Sequence, residues 1–490
     1  MKENRREFLK TSLATISLTT LAGGAGAVPV EAPKKWDETY DLVILGAGGA
    51  GLSAACHARE KGLSVLVVEK MGVPGGSSAI SGGQWAVAGT KFQKEKGIKD
   101  DQALFIKDMM AVGHNICKRE LVEAFVKASS LEFDWFIKNS GMTPVTVMVN
   151  SGMSVPRAHR FDSSKVTMFY YDYAVKHGAK VVFDTKAGHL LWDNVKKAVV
   201  GVSVIQDGKI RRIKSRKGVL IATGGFARNK ELLAKYSPKS QNAVAISGAG
   251  TTGDGMLMAQ EYGADVLDVA YVKPTYGFTL NPKHVSDKSS VFYAGAIIVN
   301  RDAKRFIREN DSYKTIGEAA LSQKNGESFM VFDENIRVQA LPKDPREKRF
   351  MGTRGKTDFG FVGNTIEEVA KNAGLDPKTL AQTIADYNKH VPDASDPMGR
   401  NTLAGNYGKP IAIEKPPFVI IPATACLLST YCGLRVDPEL HVIDVFGKPI
   451  KGVFAAGEVC GGFHGESSMS GTGFGKAFSL GRLAADEMVK

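Results

Sequence analysis

Cysteine is sparse in this chain of 490 residues, and its five positions, Cys56, Cys117, Cys426, Cys432 and Cys460, form neither a C-x-x-C pair nor C-x-x-C-H. That spacing excludes a c-type haem attached to this chain and argues against an iron–sulfur cluster. An odd count leaves at least one free thiol in an exported protein. Cys426 and Cys432 are close enough in sequence to pair, although buried, inert thiols are the plainer reading. No metal-ligand spacing is present either: His114, His159, His177 and His390 stand apart and read as surface or capping positions. The net charge is +13, yet no Lys/Arg run with interleaved aromatics occurs, so a nucleic-acid partner is not expected. A basic surface suits an acidic redox partner or an anionic substrate, or serves solubility alone.

The composition present, 43% hydrophobic and 23% charged, is that of a globular chain with ample core. Its N-terminus reads as an address. Asn4-Arg5-Arg6-Glu7-Phe8-Leu9-Lys10 is a twin-arginine motif, followed by a weakly apolar run from Thr11 to Ala22 and the small residues Ala25-Gly26-Ala27. The run is too short and too rich in Thr, Ser and Gly for a membrane span. Residues 1–27 are therefore expected to be a signal peptide, leaving a mature periplasmic or extracytoplasmic protein from about Val28. Removing their four basic and two acidic side chains leaves 13 − (4 − 2) = +11.

The organising stretch is YDLVILGAGGAGLSAACHAREKGLSVLVVEK, Tyr40 to Lys70. A buried strand from Leu42 leads into Gly46-Ala47-Gly48-Gly49-Ala50-Gly51, then small residues at helical spacing, then a second strand ending at Glu69. Gly46 suits a tight turn, Gly48 a close approach of a pyrophosphate, and Gly51 close helix–strand packing. The pyrophosphate would rest on the helix N-terminus, and Glu69 stands where a carboxylate accepts from a ribose hydroxyl. This is a dinucleotide site.

After it come a small-residue loop, Pro74-Gly75-Gly76-Ser77-Ser78 and Ser81-Gly82-Gly83, then amphipathic helices across residues 100–140. Their apolar positions, Ala103, Phe105, Ile106, Met109, Met110, Leu121, Phe125, Leu131, Phe133 and Phe136, are expected in the core. Strands are expected over residues 179–184, 199–206 and 210–214, the last two turned at Asp207-Gly208. Met256 and Met258 read as core.

A buried strand then ends in Val219-Leu220-Ile221-Ala222-Thr223-Gly224-Gly225-Phe226. Together with Gly250-Thr251-Thr252-Gly253-Asp254-Gly255, Val299-Asn300-Arg301 with Lys304-Arg305-Phe306, and Ala455-Ala456-Gly457-Glu458, it resembles the flavoprotein family of soluble fumarate reductases, flavocytochromes c and 3-ketosteroid dehydrogenases. The resemblance implies an α/β fold: a Rossmann-like FAD-binding domain split in sequence (28–267 and 431–490) around an inserted α+β capping domain (268–430), with substrate between cap and flavin. It implies FAD contacts at Gly46, Gly48, Gly51, Glu69, Lys70, Ser77, Ser78, Gly82, Gly83, Thr223, Gly224, Gly225, Asn229, Asp254, Gly457, Glu458, Gly473 and Phe474. With no histidine between Gly75 and Thr90, the FAD is expected to be noncovalent. His464, in a Gly-rich loop, is a further candidate for cofactor contact.

On the substrate side the sequence departs from the fumarate reductases. Tyr313 stands where they place a proton-donating arginine, and Lys273, Ser429 and Ser468 take the places of the residues that clamp the dicarboxylate. An arginine–carboxylate fork is geometrically specific, so its loss argues against fumarate. The expected catalytic groups are Tyr313 as neutral proton donor, Tyr431 as a second hydroxyl and Lys273 as the nearby cation. The resemblance implies an exported FAD oxidoreductase that reduces a C=C conjugated to a carbonyl or carboxylate in a small-molecule substrate. A separate electron carrier such as a c-type cytochrome would supply it. A 3-ketosteroid-type dehydrogenase and an FAD-carrying electron-transfer subunit are the alternatives.

Overall fold

The computed structural model describes residues 29–150, 152–343, 347–351, 357–404 and 407–490; the twin-arginine segment lies outside them. Leu42–Leu45 forms strand β1 with all four side chains buried, as a run covered on both faces requires. It turns into helix α1 (Gly49–Glu60), and β2 (Val65–Val68) returns parallel to β1, with Leu42 opposite Val65. The Gly-Ser-Ser stretch folds as one helical turn, Gly76–Ala79, where the sequence suggests a loop. Helices α2 (Gln102–Val112), α3 (Arg119–Ser140) and α4 (Ser163–Lys176) follow; Asp101 caps the first, and Gly141, left-handed, ends the second. Strand β3 (Lys180–Val182) precedes the hairpin of β4 (Ala198–Gln206) and β5 (Lys209–Ser215), whose turn residues Asp207 and Gly208 both take positive φ, the twist that suits a two-residue hairpin. Strand β6 (Val219–Ile221) completes this part.

The chain then builds a second layer from β7 (Thr275–Phe278), β8 (Ile297–Val299), α5 (Tyr313–Leu321), β9 (Ser328–Phe332), α6 (Pro377–His390) and β10 (Phe418–Leu427). It returns with β11 (His441–Ile443), β12 (Pro449–Ala455) and α7 (Thr472–Val489). The central sheet runs β11-β12-β6-β1-β2-β3, parallel except for β11. Strands from both ends of the chain therefore share one sheet, β12 lying against β6. In the second sheet β10 pairs with β9 and β7, and a short strand from the first part, Val244–Ala245, pairs parallel with Cys426 and Leu427 at its end.

Two apolar cores match this division. One joins residues from 42–272 with others from 427–488; the second is built wholly from residues between Tyr276 and Ala425. Trp85 anchors the first, stacked on Phe478 and edge-on to Phe133 and Phe474. Phe105, Phe125, Phe133 and Phe136 are buried as expected, but Leu131 is 51% exposed because it lies on the opposite face of α3 from Ser129, Glu132 and Phe133, which are buried. His159 is fully buried, bonded to Thr90 Oγ1 and the Arg157 carbonyl, rather than at the surface. Met256 and Met258 are buried. All five cysteines are free and buried, Cys426 and Cys432 included. Among the described residues no helix is long and apolar enough to cross a membrane.

Candidate active site

The glycines at the C-terminal edge of the central sheet differ in what they are for. At Gly46, with φ +106°, a Cβ would stand 2.5 Å from the Ala222 carbonyl oxygen, and at Gly51 it would stand 1.9 Å from that of Gly46. Both residues are demanded by the fold. Gly48 is not: a Cβ there would find no protein atom nearer than 4.0 Å, and at Gly82 none at all within 4 Å. Those positions leave room for something else. Helix α1 begins at Gly48 without a side-chain cap, so its first N–H groups remain largely available, Gly49 donating to Ser78 Oγ at 3.2 Å. Thr223 Oγ1, at the end of β6, is buried with no protein partner. Helix α7 also starts on an uncapped glycine, Gly471, and opens toward Tyr431. Open glycines, two uncapped helix starts and an orphaned hydroxyl fit a dinucleotide with a polar ring system, as FAD has.

Several predicted contacts also carry structural duties. Glu69 accepts from the Ala47 and Met71 N–H groups, each at 2.8 Å, which still leaves lone pairs on its carboxylate for a ribose. Lys70 and Asp254 bond each other at 2.8 Å, and Lys70 also donates to Thr252 Oγ1. Asn229 caps the helix Lys230–Tyr236 and donates to the Thr252 carbonyl. Ser77 accepts from the Gly248 N–H. Gly83 has φ +65° and sits against the Phe161 carbonyl, while Gly225 packs against Thr430 and Glu458, and Gly457 against Ala50. Gly224 takes φ +74°. Glu458 accepts from the Thr430 N–H, and burial raises its carboxyl above the ordinary range. Phe474 has its ring in the Trp85 core, so beside Gly473 it offers only backbone.

The second half of the site lies where α5 meets the loop before α7. Tyr313 is the first residue of α5, partly buried, with the Ser470 and Ser468 side chains among the polar groups that influence its hydroxyl. Burial, with Tyr431 and Tyr293 adding to it, pushes this phenol far above its ordinary value despite the serines, so it stays protonated at neutral pH. Tyr431, held at φ +56°, sets its ring 5.2 Å from that of His464, nearly edge-on. Both His464 ring nitrogens are buried without partners, and burial, then Lys476 and Lys314, holds the ring well below its ordinary pKa, hence neutral. Ser429, two residues before Tyr431, is half-buried.

The Lys273 ammonium pairs with Glu466 at 2.8 Å, and Glu466 also takes His114 Nδ1 at 2.6 Å. A second cation stands beside these rings, Lys314, not singled out from the sequence. Its Nζ lies 4.8 Å from the Tyr431 ring centroid and 5.6 Å from that of Tyr313. The signal was available: on α5, Lys314 falls in the buried stripe with Ile316, Gly317 and Ala320, where a lysine has no reason to be. A groove of about 550 Å³, lined by Thr279, His284, Asp287 and Arg349 among others, lies on the second layer and contains none of these residues.

Residues 41–474 match the FAD binding domain family. The chain is 31% identical over 517 residues to the acrylate reductase flavoprotein subunit of Shewanella woodyi (strain ATCC 51908 / MS32), covering 99% of this chain and 98% of that one. Among solved structures, the open conformation of a flavocytochrome c3 fumarate reductase superposes with a TM-score of 0.79 at 28% identity, over 92% of this chain and 78% of that chain. The 3-ketosteroid-Δ4-(5α)-dehydrogenase of Rhodococcus jostii RHA1 shares the fold, with a TM-score of 0.74 at 24% identity over 94% and 99% of the two chains.

Proposed function

The chain belongs to the FAD binding domain family, as an FAD-dependent oxidoreductase acting on C=C bonds, and from that premise we propose that it reduces an unsaturated acid or carbonyl compound in the chamber bounded by Tyr313, Tyr431 and His464. The observation that carries this reading is the buried, protonated Tyr313 hydroxyl beside the uncapped start of α7. The start of α1, Thr223 and the first turn of α7 would hold FAD noncovalently, and it would supply hydride chemistry toward one carbon of the double bond. Tyr313 gives its phenolic proton to the adjacent carbon, and Ser468 and Ser470 stabilise the oxygen that loses it. Tyr431 walls the chamber. Tyr313 holds the place of the proton-donating arginine, and Lys273, Ser429 and Ser468 hold the places of the dicarboxylate clamp, which supports a substrate other than fumarate.

Electrons come from a separate carrier, a small c-type cytochrome being the kind that the flavocytochrome likeness supports. Export by the twin-arginine route to the periplasm rests on the N-terminal motif alone. A steroid dehydrogenase would share the tyrosines, but a neutral steroid gives a buried lysine nothing to pair with, so the reductase reading is favoured. Anaerobic reoxidation of the reduced protein against unsaturated acids, enones and steroids tests the proposal. Reoxidation by acids is expected; reoxidation by steroids only, or by nothing, would overturn it. Acid precipitation should release the flavin into solution, and N-terminal sequencing of the protein from whole cells should begin near Val28.

A further inference from the structure

Among the described residues, the buried lysines and arginines come with acids, except one. Arg157 pairs with Asp100 and Asp108, Arg305 with Glu309 and Asp396, and Arg400 lies 3.4 Å from Glu309. Lys476 has Glu458 and Asp268 among its electrostatic neighbours. Lys314, only 3% exposed, has none: Nζ donates to the Lys273 carbonyl oxygen at 3.0 Å and to Thr275 Oγ1 at 2.9 Å, and its charged neighbours are Lys288 and Lys273. A buried ammonium without a counter-charge is costly, and two neutral acceptors do not offset it. One of its three N–H donors is unassigned, on a side chain that stands by the Tyr431 ring. On that ring's other contact is His464, 2% exposed, with both nitrogens unpartnered. A cation lacking an anion and a neutral imidazole lacking any partner meet around one tyrosine.

We propose that Lys314 Nζ is the seat of a single substrate carboxylate, with His464 donating to its second oxygen, so that the substrates are α,β-unsaturated monocarboxylates. The proposal rests on the reading of the chamber as a C=C reductase site. One carboxylate is the limit because the remaining cations are committed. Lys273 is neutralised by Glu466, and Lys288, 5.5 Å from the Tyr313 ring, is already partnered. Ser468 stands where the sequence resemblance expects an anion-clamping arginine. A second carboxylate would be buried among hydroxyls without a counter-charge, which strongly disfavours its binding. The groups facing Lys314 are Lys288, Lys273, Tyr313, Tyr431 and His464. Burial and the two lysines lower its pKa to about 7, so an arriving carboxylate would draw a proton onto Nζ.

The test is an anaerobic titration of the oxidised, FAD-loaded protein with propanoate, propanamide and succinate, followed by the flavin spectrum, for wild type, Lys314→Met and Lys314→Arg. Propanoate should bind more tightly than either other probe. Lys314→Met should weaken propanoate roughly ten- to a hundredfold, the loss of one charged hydrogen bond, while leaving propanamide and flavin content unchanged. Lys314→Arg should retain part of the affinity. Equal binding of propanoate and propanamide, tighter binding of succinate, or an unchanged Lys314→Met would overturn the seat. In turnover, acrylate should lose KM in Lys314→Met while methyl acrylate does not. If no alkene reoxidises the flavin, the reductase reading falls, and the propanoate titration still decides the seat.

Discussion

Replacing Lys314 by methionine should make the protein more stable, and more so in acid. In the folded state burial, then Lys288 and Lys273, bring this ammonium from an ordinary 10.5 to about 7. At about 1.36 kcal/mol per unit, a fall of that size costs up to about 5 kcal/mol of stability. The sign follows from proton counts. Between pH 7 and 10.5 the unfolded lysine keeps a proton that the folded one has lost, so stability rises with pH across that window. Below it, both states are protonated and the whole cost is present. Methionine has similar reach and no charge. Urea unfolding of the FAD-loaded proteins without any carboxylate, at about pH 6.5 and about pH 9.5, measures the effect. The variant should be ahead by a few kcal/mol in the acid condition, and the gap should narrow as pH rises. Other titrating groups shift both proteins alike and cancel. A gap independent of pH, or a variant less stable in acid, would refute the unpaired-ammonium argument.

Tyr313→Phe should lower kcat by about 10²- to 10⁴-fold, the usual weight of a positioned proton donor, with flavin content unchanged; unaltered turnover removes the role. Gly51→Ala brings a Cβ to 1.9 Å from the Gly46 carbonyl and should lose FAD together with the turn, whereas Gly48→Ala meets open space, should fold normally, and should bind FAD more weakly. Flavin absorbance per protein and circular dichroism separate the two, and a Gly48→Ala protein with full FAD affinity would show that the gap serves no ligand. Phe133→Ala should cost about 3–5 kcal/mol and Leu131→Ala within about 0.5 kcal/mol, by denaturation, since only the first is buried.

The nucleotide end was legible because its constraints are local. The need of Gly46 for positive φ and the contact between Gly51 and the Gly46 carbonyl follow from a few bonds of chain, and the strand–helix–strand periodicity announces them. Less local assignments fared differently. Lys70, Asp254 and Asn229 look like ligands in a motif, and the fold also uses them to hold loops together, which the motif does not announce. Leu131 is apolar in a helix of apolar residues, but it falls on the face of α3 that meets water, beside the buried Glu132. Lys273 and Lys314 show the limit best. They stand 41 residues apart, and only the pairing of Glu466 with the first reveals that the second is left holding the charge. Burial is a property of the whole chain, and the substrate side of this site is made of it.

The two-residue strand Val244–Ala245 has an effect larger than its length. It comes from the nucleotide-binding half, yet it hydrogen-bonds to Cys426 and Leu427 in the other layer. The two layers are thus laced by main-chain bonds as well as by side-chain packing. A protease or a truncation that aims to free the second layer intact would leave β10 with an unpaired edge just upstream of Tyr431, the residue that walls the chamber. The division into two apolar cores therefore should not translate into two separable pieces: melting one ought to unseat the other, and the chamber between them would be the first thing lost.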